Sequence, residues 1–315
     1  MRILITGGAG FIGSHVADAF LAAGHEVGVL DDLSSGSKEH LDSRVRFWQA
    51  DIRDPGVDKI FAEFRPELLS HHAAQMSVGV SVREPQRDAD INIRGTLNLL
   101  EAAVRHGVRR VVFASTGGAM YGDHALPPTP ETVPPAPVSP YGVAKLAVER
   151  YLHAFQVMHG LEAIALRYAN VYGPRQNPHG EAGVVAIFCR ALVADQPFTI
   201  NGDGAQTRDY TYVGDVVQAV LHAAALPATA PLPILNIGTG VETSVNDLVT
   251  HLQALAGRSL AFHHGPAKPG EQRRSALDAS RAQRVLDWQP TVDVRTGLAQ
   301  TLAWFRQRAG PSREE

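Results

Sequence analysis

Arg2-Ile3-Leu4-Ile5-Thr6-Gly7-Gly8-Ala9-Gly10-Phe11-Ile12-Gly13 decides the architecture of this chain. Arg2 to Thr6 is a short apolar, β-branched run and reads as a buried strand. Glycines follow at once, then a helical pattern from Ser14 to Ala23 that Gly24 stops. Glu26 to Leu30 is a second strand, ending at Asp31-Asp32. Strand, glycine turn, helix, strand and acid together make a dinucleotide-binding unit. The glycines let the backbone approach a pyrophosphate, the helix N-terminus attracts its charge, and Asp31 is placed to accept hydrogen bonds from an adenosine ribose. Asp32 follows with no basic residue before Lys38, so a 2′-phosphate would be repelled and NAD is favoured over NADP. The glycine spacing admits two parses, Gly8-x-Gly10-x-x-Gly13 and Gly7-x-x-Gly10-x-x-Gly13.

The alternation continues outward from this unit. Val45 to Gln49 reads as a strand leading to Asp51-Ile52, Val57 to Phe64 as a helix, and Leu68 to His71 as a strand. Ala73 and Ala74, before Gln75, are small enough to let the chain pass close to a cofactor. Ala89 to His106 is predicted as one long helix, and Arg110 to Ala114 as the next strand. Strands separated by helices argue for an α/β fold with a doubly wound, parallel, Rossmann-type sheet. Ser115-Thr116-Gly117-Gly118 stands at the carboxyl end of a strand, where such sheets bind ligands, and offers hydroxyls to a sugar oxygen.

Glu162 to Arg167 is a strand, and residues 168 to 183 read as loop. A boundary near 175 separates a cofactor-binding domain (1–175) from a smaller α/β substrate lobe (176–315), with segments crossing back. That second part offers a helix over Val184 to Ala194, a polar strand over Gln206 to Val213 and a helix from near Asp215. A strand-to-turn step at 236–240, a turn at 268–271 and a terminal helical pair complete it.

Composition excludes several classes of function. The chain has 315 residues, 44% hydrophobic and 19% charged, with net charge −3. That is an ordinary soluble composition with no basic stripe for nucleic acid or an anionic membrane. The single cysteine, Cys189, excludes an internal disulfide and a multi-cysteine zinc site. His71-His72 and His263-His264 alternate across strands, and no zinc-ligand spacing occurs, so no metal is expected. The opening apolar run is too short for a signal peptide or membrane span, and a reducing cytoplasm is the plain reading.

Ser139-Pro140-Tyr141-Gly142-Val143-Ala144-Lys145 carries the chemistry. Tyr141 and Lys145 lie one helical turn apart on one face, and Pro140 suits a helix entry. An ammonium beside a phenol is expected to lower the phenol's pKa, making Tyr141 a base near neutral pH. The seven prolines from Pro127 to Pro140 should stiffen the preceding loop over the sheet edge.

Ile5-Thr6-Gly7-Gly8-Ala9-Gly10-Phe11-Ile12-Gly13-Ser14-His15 resembles the opening of the extended short-chain dehydrogenase/reductase superfamily, which favours the second glycine parse. With Ser115 to Gly122, Arg167-Tyr168-Ala169-Asn170-Val171-Tyr172-Gly173-Pro174-Arg175-Gln176 and Arg208-Asp209-Tyr210, the resemblance to NAD-dependent sugar-nucleotide epimerases and dehydratases covers nearly the whole chain. It implies NAD contacts from Gly7, Gly10, Phe11, Ile12, Gly13, Asp31, Asp32, Leu33, Asp51, Ile52, Ala73, Ala74, Gln75, Asn92, Ser115, Tyr141, Lys145 and Tyr168. It implies substrate contacts from Thr116, Tyr141, Asn170, Val184, Val185, Arg208 at the diphosphate and Tyr210 beside the nucleoside. Catalysis would fall to Thr116, Tyr141 and Lys145.

Two departures stand out. Lys268 and Glu271 occupy positions where relatives often carry Arg and Asp, and a lysine loses bidentate phosphate geometry; Arg273 or Arg274 would compensate. Gly117-Gly118 lengthens the turn relative to some relatives, which leaves Ser115 or Thr116 to meet the substrate, with Thr116 preferred. Ser275 stands where the family gates the sugar C2 substituent, and a small residue leaves room for an N-acetyl group.

The resemblance implies 4-epimerisation of a UDP-hexose through a 4-keto intermediate. The family precedent is a homodimer joined by the 89–106 and 141–159 helices. Sugar-nucleotide 4,6-dehydratases and UDP-glucuronate decarboxylases share the Tyr/Lys pair but commonly carry an acid in the turn that Gly117-Gly118 leaves bare. A non-catalytic dinucleotide sensor is the alternative of another class.

Overall fold

The computed structural model describes residues 1–122, 125–179, 183–227, 232–267 and 272–308. The first part runs β1 (Arg2–Thr6), α1 (Phe11–Ala22), β2 (Glu26–Asp31), β3 (Arg46–Gln49), α2 (Val57–Phe64), β4 (Leu68–His71), α3 (Val78–Arg83) and α4 (Pro85–Ala89). A π-helical segment (Asp90–Gly95) leads into α5 (Thr96–Arg105), β5 (Arg110–Thr116), α6 (Pro140–His159) and β6 (Glu162–Tyr168). The second part contains β7 (Asn170–Tyr172), α7 (Val184–Ala194), β8 (Phe198–Asn201), β9 (Thr207–Arg208), β10 (Tyr210–Tyr212) and α8 (Val213–Ala225). It continues with β11 (Ile234–Ile237), β12 (Thr243–Ser244), α9 (Val245–Ala256), β13 (Phe262–Gly265), β14 (Arg274–Ser275), α10 (Ser280–Leu286) and α11 (Val294–Arg308).

Seven strands form one parallel sheet in the order β11-β6-β5-β4-β1-β2-β3. The order reverses between β1 and β4, so the crevice beyond their carboxyl ends is the natural ligand site. The period-2 alternation of buried strands divides the core into two layers. Ile3, Ile5, Leu68, Val112 and Leu166 face α1 and α8, packing on Val16, Phe20, Val216 and Val220. Leu4, Leu69, Val111, Phe113 and Ala163 face α2, α5 and α6, packing on Phe61, Leu99, Val148 and Leu152. A third apolar cluster joins α7, α9 and α11 through Phe188, Leu248, Leu298 and Leu302.

Four sequence expectations are revised here. The 89–106 helix begins earlier, at Pro85, and carries the π turn at Asp90–Gly95, which an apolar period cannot reveal. The 168–183 stretch contains β7, which pairs in parallel with β10. The strand expected to stop at Ala114 runs on to Thr116. The polar strand expected over Gln206 to Val213 is divided into β9 and β10, and Val213 already opens α8, the entry expected for that helix. The crossing back is carried by α8, which packs beside α1, and by β11, which pairs with β6. The proline-rich loop lies against that β11 edge: Asn236 Nδ2 donates to Thr129 O at 2.9 Å, and Thr129 N donates to Ala276 O at 2.9 Å. Among the described residues no helix is long and apolar enough to cross a membrane, and no cluster of metal-ligating side chains occurs.

A Cβ on Gly13 would lie 2.2 Å from Gly7 O, with backbone on every near side. Gly13→Ala is therefore expected to cost about 1–3 kcal/mol, read as a lowered urea midpoint with an unchanged m-value.

Candidate active site

The turn between β1 and α1 is built for close approach. Gly7 has φ +67°, and a Cβ there would sit 2.6 Å from Ala73 N, so only glycine lets this loop touch the end of β4. Gly10 is the N-cap of α1, and neither a capping side chain nor a first-turn acid covers the N–H groups that follow at Phe11 and Ile12. An uncapped helix start over a glycine cradle fits a pyrophosphate. Asp31 is buried and tied to the same turn, its Oδ2 accepting from Ala9 N at 2.9 Å and its Oδ1 from Leu33 N at 2.8 Å. Burial pushes its pKa up, opposed by those backbone donors; its oxygens keep further lone pairs for a ribose. Asp32 folds back on Ser34 N at 2.9 Å, and Leu33 turns the chain with φ 62°. Asp51 lies in an ion pair with Arg53, whose hydrogen bonds hold it below the usual carboxylate range, and Ile52 is buried under Gly95.

Ala73 and Ala74 remain partly exposed beside this turn. Gln75 and Asn92 clasp each other: Gln75 N donates to Asn92 Oδ1, and Asn92 Nδ2 to Gln75 O, both at 2.9 Å. The Gln75 amide is taken up by Asp88 and Ser77, so its side chain organises the loop.

Tyr141, Lys145 and Thr116 meet at the carboxyl end of β5. Ser139 caps α6, its hydroxyl accepting from Gly142 N at 3.2 Å, and Pro140 fills the first helical position as the sequence suggested. Lys145 is 4% exposed; its Nζ donates to Ala114 O at 2.8 Å and sits 4.8 Å from the Phe113 ring centroid. Burial pushes the ammonium down to about 8, with Asp88 and Glu149 opposing. The expectation of a lowered Tyr141 pKa is corrected. Burial, then the Asp88 charge, push the phenol up to about 12, against a hydrogen bond from Thr116. Lys145 lies 5.8 Å from the Tyr141 ring centroid with its bond turned toward Ala114, so it does not rescue the phenolate in this state. His71 and His72 form a neutral wall: burial first, and Lys145 second, hold His71 well below its usual range and His72 down to about 3.

Ser115 and Thr116 part company because strand neighbours face opposite sides. Ser115 Oγ donates to Glu149 Oε1 at 2.7 Å, inside a network where Arg167 grips both Glu149 oxygens at 2.9 and 2.7 Å. Its hydroxyl is thereby committed to the protein interior. Thr116 is left as the hydroxyl on the Tyr141 side.

On the substrate side, Asn170 Oδ1 lies 3.5 Å from where a Gly118 Cβ would stand, which brings Asn170 to the Thr116 turn. Tyr168 OH is buried without a partner among the described residues, and burial raises its pKa. A Cβ on Gly117 would meet Leu277 Cδ1 at 2.3 Å; Leu277, itself 1% exposed, seals that half of the turn. Ser275 on β14 stands in register with Arg208 on β9. Asp209 accepts from the 239–240 and 277 amides, and Asp215 from Thr291 and Val292.

Two side chains expected at the substrate are buried. Val185 is 1% exposed inside the third apolar cluster, which leaves the half-buried Val184 on the open side. Tyr210 is also buried in that cluster, its ring edge-on to Tyr172 at 6.3 Å. Arg273 and Arg274, the suggested substitutes at the diphosphate, pair with Asp203 at 2.7 Å and Glu242 at 2.5 Å. Lys268 and Glu271 lie outside the described residues. Sequence reasoning missed Glu149 and Asp88; each stands four residues from a flagged one, Lys145 and Asn92, on the same helical side.

An uncapped glycine turn, an acid closing β2 and a Tyr/Lys/Thr cluster at the sheet's carboxyl edge define a dinucleotide-dependent class acting on hydroxyl groups. The chain belongs to the NAD dependent epimerase/dehydratase family, whose model matches residues 3–238. It is 47% identical to a UDP-glucose 4-epimerase of Mycolicibacterium smegmatis, over 98% of this chain and 100% of that one. The crystal structure of UDP-glucose 4-epimerase with UDP-glucose from Thermotoga maritima superposes with a TM-score of 0.95 at 47% identity, covering 98% of this chain and 100% of that one. That of Thermus thermophilus UDP-glucose 4-epimerase complexed with NAD gives 0.91 at 45%, covering 97% and 99%.

Two stability measurements follow. Glu149→Gln leaves the buried Arg167 guanidinium unpaired and is expected to cost about 3–5 kcal/mol in urea unfolding. Lys145, at about 8 when folded against 10.5 ordinarily, loses its proton on folding between those pH values. The unfolded chain then binds more protons, so this group makes stability rise with pH across that window. Lys145→Met is expected to flatten that rise, read as a smaller difference in urea midpoint between neutral pH and about pH 10.

Proposed function

We propose that this chain is an NAD-dependent isomerase that inverts C4 of a UDP-hexose, interconverting UDP-glucose and UDP-galactose through a transient 4-keto sugar. The carrying observation is the Thr116–Tyr141–Lys145 cluster beside a turn with no proton-transfer group, where Leu277 fills the space over Gly117. Water elimination needs an acid and a base beyond the pair, and the turn holds neither. Beyond the hydride carrier, epimerisation needs only a base that returns the proton it takes. A sensor has no need of a phenol and ammonium buried together.

The glycine turn, the start of α1 and Asp31 would hold NAD at its pyrophosphate and ribose, and Ala73 and Ala74 would admit it past β4. When bound, NAD supplies reversible uptake of the C4 hydride and a positive charge beside Tyr141. Tyr141 takes the proton of the C4 hydroxyl, and Thr116 donates to the oxygen as it becomes a carbonyl. With NAD bound, Lys145 would hold the nicotinamide ribose, and its charge would add to the cofactor's in favouring the phenolate. Asn170 and Arg208 anchor the nucleotide, Arg208 as a guanidinium on the diphosphate. The sugar turns between the two transfers, and Tyr141 gives its proton back to the inverted alcohol. Residues 176–315 supply most of the substrate lobe, and Ser275 leaves room at sugar C2 for an N-acetyl group. The exposed Val143 and Val157 of α6 support a homodimer in which α6 takes part. The ordinary soluble composition with a single cysteine supports work in the cytoplasm.

Incubation with UDP-galactose is expected to give UDP-glucose without loss of water or carbon dioxide. A dehydrated or decarboxylated product from a related sugar nucleotide, with no epimer, would refute the reading. Tyr141→Phe is expected to lower turnover by about 10²–10⁴-fold with NAD still bound, measured by coupled assay and fluorescence titration.

A further inference from the structure

Asp88 is 1% exposed, on the five-residue helix α4. Its Oδ1 accepts from Gln75 Nε2 at 2.8 Å and Asn92 Nδ2 at 2.9 Å. Its Oδ2 is buried with no hydrogen-bond partner among the described residues. A buried carboxylate oxygen left bare is costly and asks for a reason. The π segment after α4 supplies Asn92, and both segments pack against α6, the helix of Tyr141 and Lys145.

We propose that Asp88 is a positioning residue for this site, one oxygen clasping the loop after β4 while the other keeps a negative charge beside the phenol and ammonium of α6. The surrounding groups make that charge effective. From α6 come Tyr141, Lys145 and Glu149, and Glu149 is neutralised by its bidentate Arg167. From the end of β4 and the residue just after it come His71 and His72, both held neutral by burial. From β5 comes only the uncharged Thr116. Burial raises the Asp88 pKa, and Gln75, Lys145 and Asn92 oppose it. The Asp88 charge pushes the Tyr141 phenol up and the Lys145 ammonium up, so it favours the fully protonated pair. The resting enzyme therefore holds Tyr141 as a phenol until a cation arrives beside it, which guards against a phenolate in an empty site.

As a statement about turnover this rests on the epimerase reading; as a statement about Tyr141 ionisation it does not. Asp88→Asn keeps the size and the oxygen that Gln75 and Asn92 bond, and removes the charge. Asp88→Ser keeps a hydroxyl acceptor and also removes it; Asp88→Glu restores it. The readouts, on the NAD-loaded enzyme, are phenolate absorbance taken as a difference against Tyr141→Phe, and the pH profile of kcat/KM with UDP-galactose. The expected result is that Asn and Ser move phenolate formation and both limbs of the profile to lower pH by about one unit, while Glu returns them toward wild type. Phenolate titrations and profiles that superimpose on wild type in Asn and Ser, with only KM or stability altered, would reduce Asp88 to a structural clasp and overturn the proposal. Should wild type fail to interconvert the sugars, the functional reading falls and the phenolate titration still decides this one.

Discussion

The Glu149–Arg167 ion pair is the joint on which the site depends. Glu149 is fully buried one turn beyond Lys145, and Arg167 sits near the end of β6. Their bidentate contact pins α6 to the sheet at the level where Tyr141 and Lys145 must stand. Ser115 joins the pair from β5, and Arg167 reaches Tyr121 OH at 2.8 Å, which donates to Asn236 on β11 at 2.8 Å. One network thus ties α6, β5, β6 and the returning strand β11. Two buried charges are tolerable only because nearly every donor and acceptor is satisfied. The arrangement also consumes the hydroxyl of Ser115, and so decides by exclusion which neighbour faces the reactive phenol.

Beyond that joint, the electrostatics are those of a dry pocket. Burial moves the Tyr141 phenol up and the Lys145 ammonium and His72 imidazole down, each toward its uncharged form. The pair is then poised, since a single added cation changes the balance on Tyr141 more in a water-poor pocket than it would in solvent. Asp88 tilts the same balance the other way. A site set between these charges suits the proposed reaction, in which a proton is taken and returned within each turnover and nothing is exchanged overall.

What the sequence revealed and what it hid divide along physical lines. Helices α2 and α7 and strand β4 were legible to the residue, because apolar periodicity and flanking glycines report local structure. The glycine turn, Asp31 and the Tyr141–Lys145 spacing were legible because each is a local geometry with a chemical purpose. The return of α8 and β11 to the first sheet was foreseen only as a crossing back, since strand order is a long-range property. The π turn was hidden because it breaks the helical period by one residue. The burial of Tyr210 and Val185 was hidden because a motif shows that a residue matters, not how deeply its side chain is packed. The Tyr141 pKa was misjudged because spacing places Lys145 nearby but says nothing of Ala114 O, which takes its hydrogen bond, or of the burial that outweighs it.

In the proposed reaction a hydride leaves C4 and returns to the same carbon on the other face. Turnover in ordinary water of UDP-galactose carrying deuterium at C4 tests this. The expected product is UDP-glucose that retains its deuterium at C4, with no label in solvent and no solvent hydrogen at that carbon. Loss of the label to water, or its appearance at another carbon of a dehydrated sugar, would contradict it.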